Sequence, residues 1–161
     1  MKTIEVTLYK FDELSEKAKE KAIKNYSDIN IDHEWWDSIY YDARNVNLKI
    51  SEFDIYRRYI KIDFIYSAEE TANKILSEHG QSCSTYKIGE SFLHDLSKLD
   101  QDSDDYEDDL TYLEDDFLSD LGEEYLSFLN SDYDYLTSEQ SIIETFEAND
   151  YYFDQNGKIA G

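Results

Sequence analysis

Residues 107–129, EDDLTYLEDDFLSDLGEEYLSFL, decide the fold. At about 100° per residue on a helical wheel, eight apolar side chains of this stretch fall within one arc of about 160°, with Glu114 intruding on that side and Leu126 on the opposite one. They are Leu110, Leu113, Phe117, Leu118, Leu121, Tyr125, Phe128 and Leu129. The opposite side carries Asp108, Asp109, Asp115, Asp116, Asp120 and Glu123. The pattern predicts a helix over Glu107–Leu129 that packs by one face and presents carboxylates on the other.

Negative charge is concentrated around this helix instead of being spread along the chain. The 161 residues include 15 Lys and Arg and 38 Asp and Glu, which gives a net charge of −23. Residues 1–66 carry 11 − 13 = −2, whereas residues 67–161 carry 4 − 25 = −21. Residues 95–134 alone hold 16 acids against the single Lys98, a net of −15. Because like charges repel and destabilise a compact state, this segregation has a cost that a function would explain.

The linear density of the acids resembles that of a polynucleotide. Acids between Asp108 and Glu124 recur about every 3 Å of helix, and one strand of B-DNA carries a charge about every 3.4 Å. An acidic face can also serve only to keep a protein soluble, but such faces usually mix charges of both signs. We therefore predict a partner-binding surface formed by Asp102, Asp104, Asp105, Asp108, Asp109, Asp115, Asp116, Asp120, Glu123 and Glu124.

The N-terminal part of the chain shows both strand and helix patterns. Apolar residues alternate over Thr3–Tyr9, which predicts a strand. A helix capped by Asp12 or Ser15 follows, and a second helix is predicted over Asp32–Val46. The first of these helices repeats apolar residues every four positions, at Leu14, Ala18, Ala22 and Tyr26.

The middle of the chain predicts a hairpin and a further helix. Leu48–Ile55 and Tyr59–Tyr66 have strand composition and lie close enough to pair antiparallel. Ser67 is positioned to cap a helix over Ala68–His79. The polar stretch Gln81–Gly89 is predicted to be a loop.

From Glu90 onward the chain is predicted to be almost entirely helical. A short amphipathic segment carries Phe92, Leu93, Leu96 and Leu99. Asp100–Tyr106 is predicted to break the helices before the acidic one. Thr137 and Gln140 form a capping box for a helix over Ser138–Asn149, and the dipeptide Asn156–Gly157 predicts a tight terminal hairpin.

Together these elements predict an α+β fold, a small antiparallel sheet with packed helices and a highly acidic helical C-terminal half. We interpret residues 1–161 as a single domain. Residues 1–89 form its α+β portion of near-neutral charge, and residues 90–161 form its acidic helical portion ending in a short hairpin.

Composition favours an intracellular protein. The single Cys83 cannot form an intrachain disulfide, which is typical of a reducing compartment. The first residues lack the apolar region of a secretory signal, and no stretch approaches the roughly 18 apolar residues of a membrane span. The expected location is the cytoplasm of a host cell.

No motif supports catalysis, a cofactor or a dedicated metal site. Asp100, Asp102 and Asp104 match the first three ligand positions of an EF-hand calcium-binding loop. However, Asp105 and Thr111 occupy the sixth and twelfth positions, where that motif requires Gly and Glu. The three His residues and Cys83 lack zinc-site spacing, and no glycine-rich phosphate loop is present. Direct nucleic-acid binding is disfavoured by the net charge of −23, although Arg57, Arg58 and Lys61 form one small basic patch.

Four segments resemble a family of small phage-encoded proteins of unassigned role. They are FDELSEKAKEKAIKNY (11–26), WWDSIYYDA (35–43), KISEFDIYRRYIKIDF (49–64) and SIIETFEANDYYFDQNGKI (141–159). The matching motifs are structural and carry no catalytic residue, and the acidic middle lies outside them. The resemblance implies a phage or prophage setting, in which small acidic proteins are similar to anti-restriction and anti-CRISPR inhibitors that mimic nucleic acid.

Three functional hypotheses follow from these patterns. The first is a non-enzymatic phage inhibitor of anti-CRISPR or anti-restriction type. It would block the basic nucleic-acid-binding surface of a host defence nuclease by acidic mimicry. The second is an antitoxin-like or adaptor protein that binds a basic partner mainly through apolar contacts, with Trp35 and Trp36 as anchors. The third is a protein that binds a small molecule or a metal.

Overall fold

The computed structural model describes residues 1–160, and it confirms an α+β fold. Its helices are α1 (Glu16–Asn25), α2 (Asp37–Asn45), α3 (Ala68–Glu78), α4 (Ser84–Ser97), α5 (Tyr106–Leu136) and α6 (Glu139–Ala148). Its strands are β1 (Leu48–Asp54) and β2 (Tyr59–Phe64), which form a two-stranded sheet. The chain divides into two compact units. The first comprises residues 1–35 and the chain from Asp132 onward, and the second comprises Trp36–Ser131.

The hairpin of the second unit confirms the sequence prediction. β1 and β2 pair antiparallel from Leu48 opposite Phe64 to Asp54 opposite Tyr59, with an irregularity between Ile50 and Glu52. Its turn needs no glycine, because the Asp54 carboxylate organises the backbone.

Two amides of the turn donate to Asp54 Oδ1, Tyr56 N at 3.0 Å and Arg57 N at 3.1 Å. Arg58 completes the turn in the left-handed region, at φ 54°. An Asp side chain that bonds the backbone two or three residues on is a common substitute for glycine in turns.

The predicted loop Gln81–Gly89 is wrong, because α4 already begins at Ser84. Gly89 is buried inside this helix, and a Cβ built there would lie 3.4 Å from Ile75 Cγ2 and 3.5 Å from the Ala72 carbonyl oxygen. These are ordinary van der Waals distances, so the packing of α3 and α4 does not require a glycine, and α4 simply continues through a residue that often marks a helix end. The predicted helix over Ala68–His79 is confirmed, and Ser67 Oγ accepts from Glu70 N at 3.1 Å as its cap.

Helix α5 has 31 residues and extends past the predicted end at Leu129. Its buried side is formed by Phe117, Leu121, Gly122, Tyr125 and Leu129. The Phe117 ring stacks on Phe92 of α4, with centroids 4.2 Å apart. At Gly122, a Cβ would lie 3.2 Å from Ile62 Cγ2 and 3.3 Å from Ile60 Cγ2, so the helix lies directly against β2.

Helices α1 and α6 of the first unit are both capped by a serine. Ser15 Oγ accepts from Ala18 N at 3.2 Å and caps α1. Ser138 Oγ accepts from Ser141 N at 3.2 Å and caps α6, one residue after the predicted Thr137. The Thr137 hydroxyl instead donates to the carbonyl oxygen of Tyr133 at 2.8 Å, so α5 and α6 meet without a linker. The core between α1 and α6 consists of Phe11, Leu14, Ala18, Ala22, Ile142, Phe146 and Phe153.

The predicted helix Asp32–Val46 starts late, at Asp37, because Asn30 ties the preceding segment down in the first unit. Asn30 Nδ2 donates to the Leu136 carbonyl oxygen at 3.0 Å and to Ser141 Oγ at 3.1 Å. Thr145 Oγ1 donates to Asn30 Oδ1 at 2.6 Å. These long-range bonds hold the chain at Asn30 against the end of α5 and the start of α6, and residues 27–31 form turns before the helix begins.

The predicted strand Thr3–Tyr9 is wrong. Only Tyr9 pairs, through two backbone bonds of 2.8 Å with Phe153, and Ile4 and Val6 are 72% and 71% exposed. After Phe153 the C-terminal segment enters a turn at residues 155–157, so it offers no strand with which residues 3–8 could pair. Gly157 shapes the predicted terminal turn at φ 84°, and the expected strands on either side are reduced to single bridges.

Candidate functional site

The structure places all ten predicted partner-binding acids at or on α5. Three of them, Asp102, Asp104 and Asp105, lie in the turn before the helix. The other seven, Asp108, Asp109, Asp115, Asp116, Asp120, Glu123 and Glu124, lie on the helix itself. All are exposed except Glu124, which is half-buried.

Six of these residues form one surface, which we call the acidic face: Asp108, Asp109, Asp115, Asp116, Asp120 and Glu123. On an ideal helix of 100° per residue they lie within an arc of about 140°, opposite the fully buried Leu121 and Tyr125. Asp108 and Asp109 also lie in the first helical turn, where a carboxylate interacts favourably with the helix dipole. The continuous helix keeps the acidic face on one rigid element.

Glu124 lies at the edge of this arrangement and has a local role. Ser84 Oγ, at the start of α4, donates to Glu124 Oε2 at 2.5 Å. Two of the three acids of the preceding turn have local backbone bonds, Asp102 N to Asp100 Oδ1 at 3.0 Å and Asp105 N to Ser103 Oγ at 3.2 Å. The structure therefore gathers six of the ten predicted residues and leaves four at its margins.

No carboxylate of the acidic face forms an ion pair within the described residues, although Arg58 lies near Asp115 and Glu123, and Lys87 near Asp116 and Asp120. Among residues 1–160 the ion pairs are Lys19–Glu16, His33–Asp32, Arg57–Asp54 and His79–Asp42. None of these involves a residue of the acidic face. The carboxylates also interact with one another, because the pKa of Asp120 is raised by partial burial and then by the negative charges of Glu123, Asp116 and Glu124.

This coupling predicts a pH-dependent gain in stability for Asp120→Asn. A carboxyl whose folded-state pKa is raised stabilises the fold fully below its unfolded pKa of about 3.9, and this stabilisation is lost as pH rises through the folded value. At pH 7 the ionised Asp120 therefore opposes folding, and its amide variant should be more stable by at most about 1 kcal/mol.

Chemical denaturation between pH 3 and pH 7 in 20 mM and 500 mM NaCl measures the effect. The gain should disappear near pH 3 and shrink in high salt, and Asp28→Asn, outside the cluster, should show no comparable gain. An Asp120→Asn gain that is equal at both pH values would contradict repulsion as its cause.

Tyr112 is a residue of this site that the sequence analysis missed. Its side chain is 72% exposed, and aspartates lie three and four residues away on both sides. Residues at these spacings are neighbours on a helix surface, so the ring lies among Asp108, Asp109, Asp115 and Asp116. The same spacing is visible in the sequence and could have identified it. An exposed aromatic ring among carboxylates is a suitable contact for an arginine guanidinium.

A partly buried polar cluster was also missed, and it orients the acidic helix. Tyr125 OH of α5 donates to Asp42 Oδ2 of α2 at 2.7 Å, and His79 Nε2 lies 3.3 Å from the same oxygen. The contact with His79, helped by the Tyr125 bond, lowers the pKa of Asp42 despite its partial burial. Burial and the bond to Asp42 raise the pKa of Tyr125. The cluster thus fixes the side of α5 that faces inward.

The same cluster has the residue types of a catalytic triad but lacks access. His79 Nδ1 lies 2.6 Å from Thr85 Oγ1, which places a hydroxyl, an imidazole and a carboxylate in sequence. Thr85 is only 1% exposed, so a substrate cannot reach its hydroxyl in this conformation. We assign the cluster to holding α2, α3, α4 and α5 together.

The tryptophans proposed as anchors are half-buried and packed within their own units. The Trp35 ring lies 5.7 Å from that of Tyr133, and the Trp36 ring lies 5.8 Å from that of Phe53. In the part of the chain described, no three His, Cys, Asp or Glu side chains are arranged to hold a metal ion. None of the helices within residues 1–160 has both the length and the apolar character needed to cross a membrane.

Comparison of the chain with protein-family models, curated proteins and solved structures found no match. The chemistry of the acidic face is therefore the basis for a functional assignment. Six exposed, unpaired carboxylates on one helix, with a tyrosine among them, can bind an array of Lys and Arg side chains.

Proposed function

We propose that this protein is an inhibitor that occupies the basic nucleic-acid-binding surface of another protein with its acidic face. The observation that carries the proposal is the exposure of six carboxylates on one continuous helix, none of which forms an ion pair within residues 1–160. The six charges span about 22 Å of α5 and recur about every 4 Å, close to the roughly 3.4 Å of one B-DNA strand, which supports competition with a phosphate backbone.

Binding would begin with electrostatic attraction. A surface of one sign steers an oppositely charged partner and accelerates association, and the effect falls with ionic strength. In the complex, partner Lys and Arg side chains would pair with the carboxylates, and an Arg would pack on the Tyr112 ring. Nucleic acid and the inhibitor would then compete for the same basic surface of the partner.

The setting follows from the sequence resemblance to phage-encoded proteins. On that basis the partner is a host defence nuclease in the cytoplasm, of restriction or CRISPR type, and the protein acts without catalysis. Neither the nuclease nor the phage setting is needed for the physical part of the proposal, which requires only a basic nucleic-acid-binding surface.

The test is release of captured partners by nucleic acid. The protein is immobilised, incubated with a nuclease-treated bacterial lysate, and washed at constant ionic strength. Duplex DNA should release bound proteins that have nucleic-acid-binding activity, and adding the free protein should inhibit the released nuclease. An equal concentration of an uncharged polymer is the control eluant. Partners that resist DNA but leave in detergent would contradict mimicry.

A second candidate function, an adaptor that binds mainly through apolar contacts, is favoured by exposed aromatic residues outside α5. Tyr41 and Tyr66 are exposed in the second unit. Such a complex would change little between 50 mM and 500 mM NaCl, whereas a complex of the acidic face would weaken strongly over the same range.

A further inference from the structure

The chain contains a strand-like segment that has no sheet to join. Residues 3–8 alternate polar and aliphatic side chains, and Ile4, Val6 and Leu8 are all exposed. They belong to no strand, and pairing begins only at Tyr9. Exposed aliphatic residues with a period of two are typical of a strand that buries one face against a partner.

The second unit contains a sheet edge beside an apolar groove. The sheet of the described residues has only two strands, so β2 pairs with β1 on one side and has no strand on the other. A groove of about 390 Å³ runs between β2 and α5. Its aliphatic lining is Ile60, Ile62, Leu118 and Leu126, and its charged lining is Asp115, Glu123 and Arg58. A groove between an edge strand and a helix is a recurrent site for an added strand.

We propose that residues 3–8 of one copy add as a third strand to β2 of a second copy, and that the exchange is reciprocal in a symmetric dimer. The donor segment and β2 both contain six residues. In this arrangement the face with Ile4, Val6 and Leu8 enters the groove against Leu118 and Leu126. Backbone bonds to the β2 edge provide affinity, and the alternating side chains provide register.

The charges of donor and acceptor are complementary. Lys2 lies on the same side of the alternating segment as Ile4 and therefore faces the groove, whose charged lining of Asp115, Glu123 and Arg58 is negative overall. Glu5 lies on the opposite side, on the outer face of the sheet with the exposed Lys61 and Asp63, so the favoured register places Glu5 beside Lys61 and away from Asp63. This local match selects a second copy of the chain as the occupant.

The net charge of −23 on each copy opposes the association, which gives the dimer a distinctive salt dependence. Added salt screens this long-range repulsion and leaves the apolar contacts in place, so the dimer should tighten as NaCl rises from 50 mM to 500 mM. Binding of the acidic face to a basic partner has the opposite salt dependence. The dimer therefore does not rest on the proposed function and is tested separately.

Sedimentation equilibrium of the full chain tests the dimer. Ile4→Asp with Val6→Asp should weaken the dimer at least about tenfold, because the carboxylates would enter an apolar groove. Thr3→Asp with Thr7→Asp is the matched control, since it adds the same charge to the opposite face of the same segment and should weaken the dimer far less. A monomer at all salt concentrations, or equal effects of the two variants, would overturn the proposal.

A mixing experiment distinguishes loss of the dimer contact from misfolding of a variant. Leu118→Asp with Leu126→Asp removes the acceptor groove, and circular dichroism checks that the helices persist. This acceptor variant and the Ile4/Val6 donor variant should each be monomeric, and their mixture should form a heterodimer through the one intact donor and groove. Failure of two folded variants to associate on mixing would also overturn strand exchange.

Discussion

Changing Asp108, Asp109, Asp115 and Asp116 to Lys is expected to weaken binding to a basic nucleic-acid-binding partner by about a thousandfold. Each change removes an attraction and creates a repulsion at an interface where charges are partly desolvated. At about 1 kcal/mol for each residue the sum is about 4 kcal/mol, and 1.4 kcal/mol corresponds to a factor of ten. The affinity for a captured partner, measured by calorimetry in 150 mM NaCl, is the appropriate quantity.

The matched control variant changes the net charge by the same amount, but its substitutions lie outside the acidic face. Glu20, Asp28, Glu78 and Glu147 are exposed and lie outside α5, and their change to Lys shifts the net charge by the same eight units. The affinity of this variant for the partner should fall by less than about tenfold, because only long-range steering is weakened. If the two quadruple variants lose affinity equally, total charge and not the acidic face determines binding.

The fold must survive the reversal for the comparison to be meaningful. All four aspartates are exposed, so no buried contact is lost. Asp108 and Asp109 lie in the first turn of α5, where a cation costs about 0.3–1 kcal/mol against the helix dipole. Relief of repulsion along the acidic face offsets part of this cost. Circular dichroism and the thermal midpoint therefore serve as the folding check.

Local chemistry made much of this fold predictable from the sequence. The period of 3.6 along residues 107–129 separates packing side chains from carboxylates, and the structure shows Leu121 and Tyr125 buried with Asp116 and Glu123 exposed. Serines 15 and 67 cap helices as expected because their hydroxyls satisfy nearby backbone amides. The hairpin was recognisable from its composition alone.

What the sequence did not reveal depends on contacts distant along the chain. Residues 3–8 have the alternation of a strand, but a strand also requires a partner edge, and Phe153 offers only one residue of pairing. Gly89 is a residue type that often ends helices, but it lies buried inside α4 against Ile75 of α3, and that tertiary contact is not visible in the local sequence. One polar cluster joins four separate elements through Asp42, His79, Thr85 and Tyr125. No short sequence motif therefore indicates it.

Gly157→Ala is expected to destabilise the first unit by about 3 kcal/mol or more. Gly157 has φ 84°, and a Cβ there would lie 2.3 Å from the carbonyl oxygen of Ala18 in α1. The left-handed conformation costs an L-residue about 1–2 kcal/mol, and overpacking adds typically about 1–3 kcal/mol. The clash is with helix backbone, which cannot rotate away as a side chain would. The turn must therefore move off α1.

The matched substitution is Gly89→Ala, which should have the opposite sign. Its Cβ would make ordinary contacts of 3.4 Å with Ile75 Cγ2 and 3.5 Å with the Ala72 oxygen, and alanine favours the helix interior by about 0.5–1 kcal/mol. Urea denaturation compares the two variants, and hydrogen exchange locates the loss. Exchange should accelerate in α1 and α6, which pack with Phe153 into one core. A Gly157→Ala protein as stable as Gly89→Ala would show that the turn does not need its close approach to α1.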